Sequence, residues 1–229
     1  MTAIERVYNP QVYKRFFNTH EDGLDSHSIG KYLTPFFYIS VFPAFIISLF
    51  SHEIVTILTP AEYHAVIPVL TILCMYYGLL FFGKIFGIQF LYAKKTKLIS
   101  FLSIFAIFLN IIFNIPMIMV FGVIGAAWAT LLSSIISSLI SMYYAQRYAY
   151  IEYEWEKILF ITCVFVLGGI STVLLDLLAQ PYYLKFFVKI FFALIFILLG
   201  IKYKIISKHN YYQLKHTLFS NFKLRSKVL

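Results

Sequence analysis

No charged side chain occurs between Lys97 and Arg147, and this gap constrains the fold more than any other feature of the chain. A helix in water needs a solvated face, so a soluble domain cannot accommodate so long an apolar run. About 20 apolar residues cross a ~30 Å hydrocarbon slab, which makes the run long enough for two crossings. Phe121-Gly122-Val123-Ile124-Gly125 offers the break between them. Open strands are excluded because unpaired backbone groups cannot be left in lipid. The expected fold class is therefore an all-α membrane protein.

Composition agrees: 61% of residues are apolar, 13% are charged, and the mean hydropathy is +0.81 over 229 residues. The net charge of +9 comes from Lys and Arg placed between and after the apolar runs. That placement fits orientation signals and contact with anionic headgroups, so the lipid bilayer is the expected partner and nucleic acid is not. Cys74 and Cys163 lie inside apolar segments, where a thiol behaves as a small hydrophobe. Residues 1–31 are polar and lack the short apolar core of a cleavable signal peptide. There is no glycine loop for phosphate and no His/Cys grouping at metal spacing. No catalytic residue, metal or cofactor is expected, and the chain is not read as an enzyme.

Charge-free windows place helices at about 32–51, 65–92, 98–120, 123–146, 158–178 and 183–201. They form a transmembrane bundle over 32–201, between an N-terminal segment, 1–31, and a basic tail, 202–229. Positive charge alternates along the connections. Arg6, Lys14, Arg15 and Lys31 precede the first helix, whereas 51–64 holds neither Lys nor Arg. Lys94, Lys95 and Lys97 form the next turn, the 121–125 turn is empty, and Arg147 and Lys157 follow. Excess Lys and Arg stay on the cytoplasmic side, so both termini are expected there. Lys185 and Lys189 break the pattern; spaced four apart on one face, they are expected to snorkel outward to the headgroups.

Asn110 and Asn114 lie one turn apart, so both amides leave the third helix on one face. They either bond to a neighbouring helix or line a wet cavity. The fourth helix carries small residues at four-residue spacing, Ala126, Thr130, Ser134 and Ser138, beside a second ladder of Ala129, Ser133, Ser137 and Ser141. The first ladder is expected to be a buried packing face; a polar stripe along a substrate path is the other reading. Lys84 stands ten positions before Lys94, about 15 Å deeper by helix rise. Either it faces a bundle interior with a functional role, or a helix break at Gly83 or Gly87 brings it to the surface. Asp176 is expected to pair with Lys185. Glu152, Glu154 and Glu156 read as a solvated loop.

Several stretches are similar to the polysaccharide flippase branch of the multidrug/oligosaccharidyl-lipid/polysaccharide exporter superfamily. They are Leu91-Tyr92-Ala93-Lys94-Lys95-Thr96-Lys97, Asn110-x-x-x-Asn114, and Phe121-Gly122-x-x-Gly125-Ala126-Ala127-Trp128-Ala129-Thr130. Leu49-Phe50-Ser51-His52-Glu53-Ile54, Glu62-Tyr63-x-Ala65 and Tyr8-Asn9-Pro10-Gln11-Val12-Tyr13 add to the resemblance, which covers roughly residues 7–150. It implies the later part of the second lobe of a two-lobed flippase, followed by two terminal helices. A first lobe outside this chain is then an expected partner, and the chain is a fragment, a split product or a truncated form. The implied activity is movement of a polyprenyl-pyrophosphate-linked oligosaccharide across a bacterial cytoplasmic membrane, for O-antigen, capsule or exopolysaccharide assembly. Lys84, Asn110 and Asn114 form the best local set for such a substrate. A multidrug-type small-molecule exporter is the alternative within transport; a non-transporting remnant or membrane assembly subunit is the alternative outside it.

Overall fold

The computed structural model describes residues 12–13, 16–17, 26–178 and 180–203. The basic tail beyond Tyr203 and most of the 1–31 segment, including Arg6, Lys14 and Arg15, lie outside the described residues. Every described element is helical: α1 (Ser26–Leu49), α2 (Ser51–Leu58), a 3₁₀ turn (Ala61–Val66), α3 (Ile67–Tyr92), α4 (Thr96–Tyr148), α5 (Trp155–Leu177) and α6 (Tyr182–Lys202). Five helical segments are long and apolar enough to cross a bilayer by length and composition.

α1 starts at Ser26 rather than near residue 32. A charge-free window misses its first turns because Lys31 faces outward, while Ile29, Gly30 and Leu33 on the inner side are buried. The 53 residues of α4 are two arms on either side of Gly122, whose φ of 59° and ψ of −136° are open to glycine at no steric cost. The arms fold back on one another. A Cβ on Gly125 would overlap the Met117 carbonyl oxygen, so the second arm can approach the first this closely only without a side chain there.

α3 is the hub: it packs against α1, the α4 hairpin and α5, while α6 joins through α5 and α1. Aromatic rings fill the centre. Phe45 of α1 stands 4.6 Å from the Phe196 ring of α6 and 5.8 Å, edge to face, from Phe165 of α5. The α4 hairpin leans on α3, and Phe101, Ile104, Ile107, Phe108, Ile111 and Ile115 of its first arm remain exposed. An exposed apolar face of that kind suits hydrocarbon and not water.

Candidate functional site

A groove of about 570 Å³ runs between α3 and the two arms of α4, its largely apolar wall, with Leu80, Phe86, Phe90 and Leu102, crossed by a band of hydroxyls. Asn110 and Ser103 come from the first arm, and Thr130, Ser133, Ser134, Ser137, Ser138 and Ser141 from the second, with Tyr76 and the bare backbones of Gly83 and Gly87 opposite. Among the described residues, none that lines it is charged. Four-residue spacing on a helix puts both serine ladders along one broad face, which is why so many hydroxyls converge.

Part of this polarity holds the hairpin together. Asn110 Nδ2 lies 3.1 Å from Ser133 Oγ and 3.5 Å from Thr130 Oγ1, across the arms. Asn114 Nδ2 donates to Asn110 Oδ1 at 2.7 Å and to the Asn110 carbonyl at 3.0 Å. Thr130, Ser133 and Ser137 donate to carbonyls of their own helix. Among the described residues no partner meets the hydroxyls of Ser134, Ser138 and Ser141, which line the groove half-buried. These hydroxyls are open to a ligand.

The burial expected along Ala126, Thr130, Ser134 and Ser138 lies one ladder round. Gly125, Ala129 and Ser133 are buried, whereas those four are half-buried. The turn at Gly122 sets the rotation of the second arm, and it directs the Gly125 line at Met117 and Asn110. Asn114 is absent from the groove lining, and so is Lys84. α3 runs unbroken through Gly83 and Gly87, so no local break carries Lys84 to the membrane surface. Lys84 is nonetheless exposed, on the helix flank next to the groove wall. The structure thus brings Asn110 and Asn114 together and keeps Lys84 out of the groove lining.

Two polar clusters escaped the sequence reading. Gln89, fully buried near the end of α3, donates from Nε2 to the Ala149 carbonyl at 2.6 Å and accepts from the Tyr153 hydroxyl at 3.0 Å. Burial pushes the Tyr153 hydroxyl far above its ordinary range, so it remains a donor. The 149–154 connection is therefore only partly solvated: Ile151 and Tyr153 are buried, while Glu152 is exposed and pairs with His27 at 3.0 Å. A glutamine inside an apolar window carries no charge, so a charge-based scan passes over it.

The second cluster lies at the opposite end. Lys189 does not snorkel outward; it is 3% exposed and its Nζ donates to both Glu53 oxygens at 2.7 Å. Tyr182 adds a hydrogen bond to Glu53 at 3.2 Å. Burial would raise the Glu53 carboxyl, but the hydrogen bonds from Lys189 and the backbone, with the ammonium charge and the Tyr182 hydroxyl, hold it below its ordinary value. Lys185 pairs with Asp176 at 2.7 Å, as the sequence leads one to expect. α6 is thereby tied to α2 and to the end of α5 by separate ion pairs.

Five apolar helical segments of membrane-crossing length define the class: a helical membrane protein. No protein-family model, curated protein or solved structure matches the chain.

Proposed function

We propose that the chain is a component of a membrane transporter that moves a lipid-linked oligosaccharide across a bacterial cytoplasmic membrane. In this reading it makes six crossings with both termini in the cytoplasm, the α4 hairpin supplying two of them. The observation that carries it is the groove, where hydroxyls of Ser134, Ser138 and Ser141, without a partner among the described residues, line a cleft between helices of membrane-crossing length. A sugar headgroup needs hydroxyl and amide partners to leave water, since an unpaired polar group in an apolar medium costs about 2–7 kcal/mol. An aromatic such as Tyr76 in the wall suits the apolar face of a sugar ring. Lys84, on the adjoining flank, is the cation assigned to the substrate's pyrophosphate. The resemblance of roughly residues 7–150 to polysaccharide flippases supports the same substrate class.

The test is polymer export in a flippase-deficient strain, with the chain supplied alone and together with a first lobe. Restored export that is lost in Ser134→Leu and Ser138→Leu, at matched protein level, supports the reading. Export restored equally well by both variants would remove the groove from the substrate path. No restoration in either arrangement would favour the non-transporting alternative.

A further inference from the structure

Around the tip of the α4 hairpin, away from the groove, lies a second hollow of about 890 Å³. Its walls are apolar: Ile67 from the start of α3, Met117 and Phe121 from the first arm, Trp128 and Leu132 from the second. Thr130 and Ser134 face the groove and Trp128 and Leu132 face this hollow, so the second arm separates the two. Among the described residues the polar lining is His52, His64 and Asp176, and His64 Nε2 lies 3.4 Å from the Thr59 carbonyl oxygen, which leaves its Nδ1 for a further contact. All three sit at chain reversals, on α2, on the 3₁₀ turn and at the end of α5.

The hollow is only partly enclosed, and a largely apolar surface of this kind suits hydrocarbon rather than water. At 890 Å³ it falls within the size range of small-molecule sites. In a chain whose helices are built for a bilayer, the apolar guest on offer is lipid hydrocarbon. The polar rim specifies the other end of that guest. The carboxylate of Asp176 is answered by Lys185 through Oδ1 at 2.7 Å, so the rim presents hydrogen-bonding atoms rather than an unbalanced charge. Such a rim favours a head without net charge, and its place at the chain reversals puts that head at the membrane surface.

We propose that this hollow is a lipid site, holding the hydrocarbon tail of a bilayer lipid with a zwitterionic head whose polar atoms meet His52, His64 and Asp176 Oδ2. The inference depends on the chain residing in a bilayer and not on what it transports, so it stands or falls apart from the export assay.

The chain has two tryptophans, and Trp155→Phe leaves Trp128, in the wall of the hollow, as the only tryptophan, excited selectively at the red edge of the absorption band. The full chain carrying that change is reconstituted in phosphatidylglycerol vesicles containing rising fractions of phosphatidylcholine brominated on its acyl chains. A bound lipid gives quenching that saturates at low mole fraction. Val173→Phe and Ile124→Phe, two independent ways of filling the hollow, should each reduce it to the shallow linear dependence of ordinary lipid contact. His52→Ala with His64→Ala should raise the half-saturating fraction roughly fivefold through the lost hydrogen bonds. Linear quenching in the parent protein, or a saturating curve unchanged by both filling variants, overturns the site. Stronger quenching by brominated phosphatidylglycerol than by the zwitterionic lipid overturns the assignment of the head.

Discussion

Lys189 is an ammonium with 3% exposure whose charge is met by one carboxylate, and the two partners are not equivalent. Removing Glu53 strands a buried cation, whereas removing Lys189 leaves a carboxylate that still reaches water. Breaking a buried pair costs about 3–5 kcal/mol when the charge left behind cannot escape. Glu53→Gln should therefore lower the thermal unfolding midpoint in detergent well below that of Lys189→Met. Equal losses would show that the pair is not buried as described. The pH dependence follows from the same geometry. The folded carboxyl titrates below its ordinary 4.5, so the pair contributes fully above that value and is lost as pH falls through the lower, folded one. The midpoint assigned to this pair should be flat from pH 8 to about 5 and drop at more acid pH, a drop absent in Glu53→Gln. Gln89 makes the companion case without charge. Gln89→Leu leaves the Ala149 carbonyl and the Tyr153 hydroxyl buried and unpaired, and should cost about 2 kcal/mol by equilibrium unfolding.

Among the elements, the α4 hairpin is the one whose two faces have separate tasks. Its arm-to-arm contact runs through Gly125, Ala129 and Ser133, and its open face carries Ser134 and Ser138. Gly125→Leu forces a side chain into the Met117 carbonyl and should reduce the amount of inserted protein severalfold, as overpacking a close contact does. Ser134→Leu projects into the groove instead, so it should insert at the parental level and act on export alone. Quantitative immunoblotting of membranes separates the two outcomes; a loss of protein in Ser134→Leu would mean that the groove is filled by packing in the membrane. α6 behaves differently again. Its core contact is aromatic, with Phe196 stacked on Tyr38 at 4.7 Å and the Tyr38 hydroxyl bonded to the Phe196 carbonyl at 3.0 Å, so its seat depends on shape as well as on the ion pair.

At the scale of the whole molecule, the distribution of charge and the path of the chain make one prediction together. Reporter fusions at Ala61 and after Leu229 should report opposite sides of the membrane, because 51–64 is free of Lys and Arg and the tail is rich in both. The same side for both would remove one crossing, and the hairpin turn at Gly122 is where the count would change. Lys84 also belongs to this scale, since it is exposed on the flank of α3, the helix that packs against most of the others. If the substrate's phosphates pass there, Lys84→Ala lowers polymer export at unchanged protein level and Lys84→Arg retains part of it. Export equal to wild type in Lys84→Ala would remove Lys84 from the substrate path.

The sequence by itself determined what depends on neighbours within a few turns. A missing run of charge specified apolar helices, Gly122 marked the reversal, the turn-apart spacing of Asn110 and Asn114 put both amides on one face, and Asp176 with Lys185 bridged a short connection. Hydrocarbon thickness, backbone hydrogen bonding and the 3.6-residue period act locally, so a single chain reveals their consequences. The tertiary structure alone decided which ladder of the second arm is buried, because two ladders about 100° apart are equivalent until the turn fixes their rotation. It also turned Lys189 inward to Glu53, 136 positions away, and set Gln89 against Tyr153, 64 positions away. Whether a polar side chain reaches lipid surface, groove or ion pair depends on what folds beside it, and no periodicity in the chain encodes a neighbour that distant.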